Sequence, residues 1–234
     1  MFETLFAKTF TVLGSQLLVT WLTTVGVIAW VRHLYFTNTE GVTGKTDADG
    51  KLDLDIEWNR IEQYFYVLLA VDFAVYLLLL FKGTNNLALG IPLFTIWSVL
   101  TGVELALALI SVDENLGGKV FAITATITFM AASAGMYTGI NSAVGPYLFI
   151  ALILLLLGNL IRLIMSIPRV RQRIMAFSGV AIFSCYLLFD FSRLTTSAGR
   201  PGDNSWCVAM DLAIKMYLDI INLFLELLDL LSNW

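Results

Sequence analysis

Six carboxylates stand in stretches that are otherwise apolar: Asp72, Glu104, Asp190, Asp219, Glu226 and Asp229. The only basic residues at comparable depth are Arg162 and Lys215, so the acids outnumber the charges that could neutralise them. A charged residue at the centre of a membrane-spanning helix costs about 3 kcal/mol on insertion scales, and it normally faces a bundle interior or a hydrated cavity. The excess acids must therefore be protonated, hydrated or bound to a cation. Two neighbouring carboxylates in a medium of low dielectric are not readily ionised together, and such a pair shares a proton. A pair of this kind suits proton sensing, cation coordination, or both in competition. Calcium takes several hard oxygen ligands, so two carboxylates, Asn222 and Thr or backbone oxygens would make a site of modest affinity.

The last apolar stretch, 206–231, carries the densest set. At about 100° per residue, Asp211, Lys215, Asp219, Asn222, Glu226 and Asp229 fall within roughly 80° of one another on a helix. Asp211–Lys215 and Lys215–Asp219 are also spaced as ordinary i,i+4 ion pairs, and Glu226 and Asp229 are expected to reach the membrane interface. For Asp72 and Glu104 a purely structural role balances a functional one.

The elements that position these residues follow from composition. Of 234 residues 58% are hydrophobic and 14% are charged, where a soluble domain carries about a quarter charged. The chain reads as an integral membrane protein. Spanning helices need about 20 apolar residues, and seven candidates follow: 9–31, 63–81, 87–111, 118–140, 143–167, 174–192 and 206–231. The fold expected is all-α and polytopic, one seven-helix transmembrane domain over 1–234. No removable signal peptide is apparent, and the first apolar segment is expected to stay in the membrane. Short linkers carry turn residues, as in Lys82-Gly-Thr-Asn-Asn and Ser197-Ala-Gly-Arg-Pro-Gly-Asp. The one sizeable extramembrane piece is an acidic loop, 33–62. Its Asp49-Gly50 turn signal and the alternation of Leu52, Leu54, Ile56 and Trp58 with Asp53, Asp55 and Glu57 predict a β-hairpin. A calcium-loop reading of it fails, because Lys45 and Ile56 would occupy the first and twelfth ligand positions.

The composition also excludes functions. A net charge of −4 with no basic tract argues against nucleic acid as a partner. Cys185 and Cys207 form no spaced framework, and His33 is the sole histidine. An enzyme is not expected, since a metal hydrolase would need a His or Cys ligand cluster. No cofactor is expected, only calcium as a transported or bound ion. Loop charges favour an N-terminus outside the cytoplasm. Lys8, Lys82, Arg193 and Arg200 lie on its side, against Arg32, Lys45, Lys51, Arg60, Lys119, Arg169, Arg171 and Arg173 on the other.

Residues 216–228, Met-Tyr-Leu-Asp-Ile-Ile-Asn-Leu-Phe-Leu-Glu-Leu-Leu, resemble the C-terminal signature of the Bax inhibitor motif family. Ile182-Phe-Ser-Cys-Tyr-Leu-Leu-Phe-Asp resembles the family's Phe-Ser-x-Tyr-x-Leu-Tyr-Asp segment, and Leu13-Gly-Ser-Gln-Leu-Leu-Val-Thr resembles its opening helix. The resemblance implies seven helices with the last one central, and, by similarity to bacterial members, a pH-sensitive calcium leak. It implies that Asp190 and Asp219 share a proton and control opening, and that they are the carboxylates a metal ion would meet. A basic latch at the end of the second helix corresponds to Lys82, with Lys215 as a further counter-charge. An acid of the third helix corresponds loosely to Glu104. The hairpin, the Arg169–Arg173 cluster, Asp72, Glu226 and Asp229 depart from the family pattern. The family arrangement puts the N-terminus in the cytoplasm, against the charge count, and family topology is preferred here. A bacterial plasma membrane is the expected location.

Two functions follow. The first is a calcium or cation leak, or a proton-coupled cation transporter, switched by the two aspartates, with the bilayer, calcium and protons as partners. The alternative is a membrane interaction protein that modulates a protease or a cell-death regulator through its hairpin and arginine cluster.

Overall fold

Backbone N–H and C=O groups in lipid have no water to bond, so apolar segments must satisfy them internally. The computed structural model describes residues 4–37, 41–46, 52–56, 58–110, 112, 114–164 and 168–232. Its apolar segments form seven α-helices: α1 (Leu5–Phe36), α2 (Trp58–Leu78), α3 (Leu87–Ile110), α4 (Glu114–Thr138), α5 (Val144–Ile164), α6 (Arg169–Ala198) and α7 (Trp206–Ser232). Hydroxyl residues within them return to the carbonyl one turn back, as Thr101 does to Trp97, Thr124 to Val120 and Ser184 to Val180. That local bond removes the cost of placing a free hydroxyl in an apolar medium.

Among the described residues, six helices are long and apolar enough to cross a membrane; α7 is not among them. Of the seven spans expected from hydropathy this leaves out the last, and the cause is the polar stripe. At 27 residues α7 is long enough, but Asp211, Lys215, Asp219, Glu226 and Asp229 recur along it every three to seven residues. Its apolar side chains are buried in long runs, with Ala209, Met210, Met216, Tyr217 and Leu223 fully enclosed. On α5, by contrast, Ile150, Leu154, Leu157 and Ile161 are exposed at helical spacing, as a lipid-facing stripe requires.

Helix ends also differ from the hydropathy limits. Arg169, Arg171 and Arg173, expected in a loop, lie in the first two turns of α6. Hydropathy marks the hydrocarbon layer, and a helix stops only where its backbone does. After α2, Leu79–Gly83 forms a π-helical turn, closed by a bond from Thr84 N–H to Leu79 C=O at 3.2 Å.

The chain forms two compact units, Met1–Phe10 with Asn115–Trp234, and Thr11–Glu114. In the second, α1 and α3 meet along a polar seam. Thr20 donates to the Ser98 carbonyl at 3.2 Å and Thr24 to the Gly102 carbonyl at 3.0 Å. Gln16 accepts from Ser98 Oγ and donates to Thr95 Oγ1. Small residues let the backbones approach and hydroxyls bond across them. Strands β1 (Val42–Thr46) and β2 (Leu52–Ile56) pair antiparallel, with Val42 opposite Ile56 and Gly44 opposite Leu54. Leu54 is buried against Val31 and Ile110, flanked by Val27, Ile28, Tyr35, Val42 and Ile56, so the hairpin packs on the ends of α1 and α3. The Asp49-Gly50 turn signal lies outside the described residues.

In the first unit, α6 and α7 form a helical hairpin joined through Gly202, whose φ of 98° suits a residue without a Cβ. Ser205 caps α7 by accepting the Val208 N–H at 3.2 Å. Lys8 donates to the carbonyl and Oδ1 of Asn204, each at 2.9 Å, and its ammonium lies 5.9 Å from the Trp206 ring centroid. The start of α1 is thereby fastened to the start of α7.

Candidate functional site

The pairing of α6 with α7 brings Asp190 and Asp219 together. Asp190 lies eight residues before the end of α6 and Asp219 midway along α7, with exposures of 4% and 6%. Their carboxyl groups lie within hydrogen-bonding reach of each other. A carboxylate has no donor of its own, so a bond between them needs a proton shared by the two. Asp219 Oδ2 is buried with no hydrogen-bond partner among the described residues. Lys215, Arg193 and Asp211 lie within electrostatic reach of Asp190, and Tyr186 within reach of both aspartates. Beside the pair, Ser192 Oγ accepts the Ile140 N–H at 2.6 Å, tying the α4–α5 connection to α6 two residues after Asp190.

The other residues singled out from the sequence divide among separate settings. Lys215 pairs with Asp211 one turn back on α7. Asn222 donates to the Leu218 carbonyl of its own helix at 2.9 Å. Lys82 is exposed on the π-helical turn. In the other unit, Asp72 Oδ2 accepts the Trp97 Nε1–H at 3.2 Å, and the Trp97 ring lies tilted against those of Tyr76 and Phe94, with centroids 5.0 and 5.7 Å away. Glu104 lies within electrostatic reach of Asp72, and Asp72 Oδ1 and Glu104 Oε1 are each buried without a partner among the described residues. Among the described residues no three His, Cys, Asp or Glu side chains converge as a metal-holding group, so the Asp190–Asp219 site consists of two acids.

Sequence reasoning missed three contributors, Trp97, Gly179 and Asn159. Trp97 supplies the donor to Asp72. Glu226, expected at the membrane interface, lies against Gly179 of α6 and accepts from Asn159 Nδ2 of α5 at 3.4 Å. The available signal was Asn159 itself, a lone amide in the apolar run 144–161.

Comparison with known proteins places this geometry in a family setting. The sequence model of the family described as Inhibitor of apoptosis-promoting Bax1 matches residues 3–233. Protein LIFEGUARD 1 of Arabidopsis thaliana is 35% identical over 94 residues, 39% of this chain and 37% of the plant protein. A membrane protein of Streptococcus pyogenes is 29% identical over 154 residues, 64% of this chain and 66% of its own length. A Helicobacter pylori protein is 24% identical over 184 residues, 76% of this chain and 75% of its own. The chain thus spans less than two thirds of the plant and streptococcal relatives.

Proposed function

The chain belongs to the family described as Inhibitor of apoptosis-promoting Bax1, and from that membership and its paired carboxylates we propose a pH-sensitive calcium leak through the membrane. The observation that carries the proposal is the buried pairing of the Asp190 and Asp219 carboxyl groups, within hydrogen-bonding reach and beside an unpartnered Asp219 oxygen. In this reading α7 is a seventh spanning helix, and its acids are shielded by protein instead of meeting lipid.

With one shared proton the pair carries a single negative charge. Two unit charges 4 Å apart repel by about 4 kcal/mol at an effective dielectric of about 20, which is why the proton is retained in a buried pair. A second proton, at low pH, neutralises the pair and weakens its hold on a cation. Loss of the shared proton, at high pH, doubles the charge and strengthens that hold. Calcium binding at the pair therefore rises with pH. Calcium is cargo here, and the chain performs no covalent chemistry. Lys215, now bound to Asp211, is the nearest mobile counter-charge on the same helix; Lys82 is the second, by family resemblance.

The test is calcium flux into proteoliposomes compared across roughly pH 6 to 8. Asp190→Asn and Asp219→Asn are each expected to alter its pH dependence. Unchanged profiles in both variants reject the proposal. The same reading puts the N-terminus in the cytoplasm of a bacterial plasma membrane and the hairpin outside. Trypsin added to sealed cells should then cut at Lys51; cutting only after permeabilisation reverses the orientation.

A further inference from the structure

We propose that the start of α6 is a docking surface for anionic phospholipid, with Arg169 and Arg171 holding the headgroup phosphate and an adjoining apolar stripe holding the acyl chains. The inference requires only that α6 crosses the bilayer, and it stands apart from the leak. At 30 residues α6 is about 45 Å long, against about 30 Å of hydrocarbon in a bilayer. Its unbroken apolar run begins only after Arg173, so the first turn stands among the headgroups. Arg169 and Arg171 occupy the first and third positions of that turn, and both are exposed.

The stripe is set by helical phase. Val170, Ile174, Phe177, Ala181 and Cys185 are all exposed, and at about 100° per residue they fall within roughly 80° of one another. Val170, Ile174 and Phe177 are each more than half exposed, at 68%, 60% and 64%. The opposite face, with Ala176, Gly179 and Phe183, is buried in the protein. Arg171 stands about 80° to one side of the centre of the stripe and Arg169 about 120° to the other. Their long side chains therefore bracket its outer end, where an acyl chain lying on the stripe would carry its headgroup.

The charge placement calls for an anion. Between Glu114 and Asp190 the sequence has no acidic residue, so α5 and most of α6 offer these arginines no counter-charge. Arg173, in the next turn, is already engaged by another group; Arg169 and Arg171 make no ion pair among the described residues. Pro168 caps α6 without a side-chain hydrogen bond, and cations in a first turn meet the positive end of the helix dipole. The helix alone disfavours this arrangement. A phosphate between the two side chains reverses the sign of that interaction, and a guanidinium gives it two parallel N–H bonds. The occupant is a lipid phosphate because the surface beside it is apolar for four turns, which free phosphate leaves bare.

The experiment is native mass spectrometry of the full chain in detergent, with phosphatidylglycerol and phosphatidylcholine of the same acyl chains competing for it. The wild type is expected to retain phosphatidylglycerol at least about fivefold over phosphatidylcholine, and Arg169→Gln with Arg171→Gln to bring that preference below about twofold. Lys119→Gln, which removes an exposed charge near the start of α4, should leave it unchanged. Arg169→Lys with Arg171→Lys should fall between, since the charge stays and the planar fork is lost. In phosphatidylcholine alone the double Gln variant should melt no lower than wild type, because it relieves the conflict with the helix dipole. A preference that survives the double Gln change overturns the proposal. So does displacement of phosphatidylglycerol by inorganic phosphate in excess, which would make the arginines a site for a free anion. A two-copy species lost in the Gln variant while lipid preference stays would make the surface a protein interface, and would overturn it equally.

Discussion

Changing Asp190 and Asp219 to asparagine together is expected to flatten the pH response of calcium flux no further than either single change does. The reason is the shared proton. A carboxyl–carboxyl hydrogen bond needs both partners, so one substitution already removes the shared proton and leaves a lone buried acid that no longer titrates as the pair does. The first change carries nearly the whole loss and the second little more. Residues that act as one unit give such non-additive cycles, with coupling of roughly 0.5 to 3 kcal/mol. A single titrating step can change occupancy at most about tenfold per pH unit; in all three variants the response is expected to fall below about twofold over that interval. Flux measured at several pH values in proteoliposomes checks it. Two independent losses that add in the double variant would mean that the aspartates titrate separately and share nothing.

The second large effect concerns packing. Gly135→Ala and Gly102→Ala are each expected to destabilise the fold by about 1 to 3 kcal/mol, the usual consequence of overpacking. A Cβ at 135 would stand 2.4 Å from the Leu188 carbonyl oxygen and 2.9 Å from Phe191 Cβ. At 102 it would meet Thr23 Cβ at 2.7 Å and the Thr20 carbonyl oxygen at 2.8 Å. In both cases a backbone atom is in the way, and no rotamer change relieves it. Gly118, with nothing within 4 Å, is the control; alanine there should be neutral or stabilising by up to about 1 kcal/mol, as helix propensity alone dictates. Thermal unfolding in detergent separates the three. Position 135 adds a functional readout, because the α6 backbone it touches leads directly into Asp190.

These expectations draw unequally on the sequence. The helices were legible because lipid allows an apolar run little choice of backbone, and the hairpin because Leu52, Leu54 and Ile56 alternate with acids. Asp190 and Asp219 were singled out by their motifs; spacing alone could not join them, since they sit on different helices 29 residues apart. The same limit hid the neighbours of Glu226. Its own helix explains its phase but says nothing of Gly179 and Asn159, which come from elements whose facing sides are set only by tertiary packing. Trp97 was hidden for the same reason: an indole in an apolar helix reads as core until an acid on α2 accepts its N–H. The arginines at 169–173 were misjudged because charge ends a hydropathy window without ending a helix.

The π-helical turn at Leu79–Gly83 has a consequence for reading relatives. A π turn amounts to one residue inserted into an α-helix without breaking it. Everything beyond is advanced in count by one and turned by about 100° from where an uninterrupted helix would leave it. Lys82 lies inside that turn. Deleting one residue from 79–83 and restoring regular α geometry would move its ammonium to another side of the helix without altering a single other side chain. A lineage can thus re-aim this charge by gaining or losing one codon, and equivalence with a basic residue in a relative has to be judged by helical phase before alignment column.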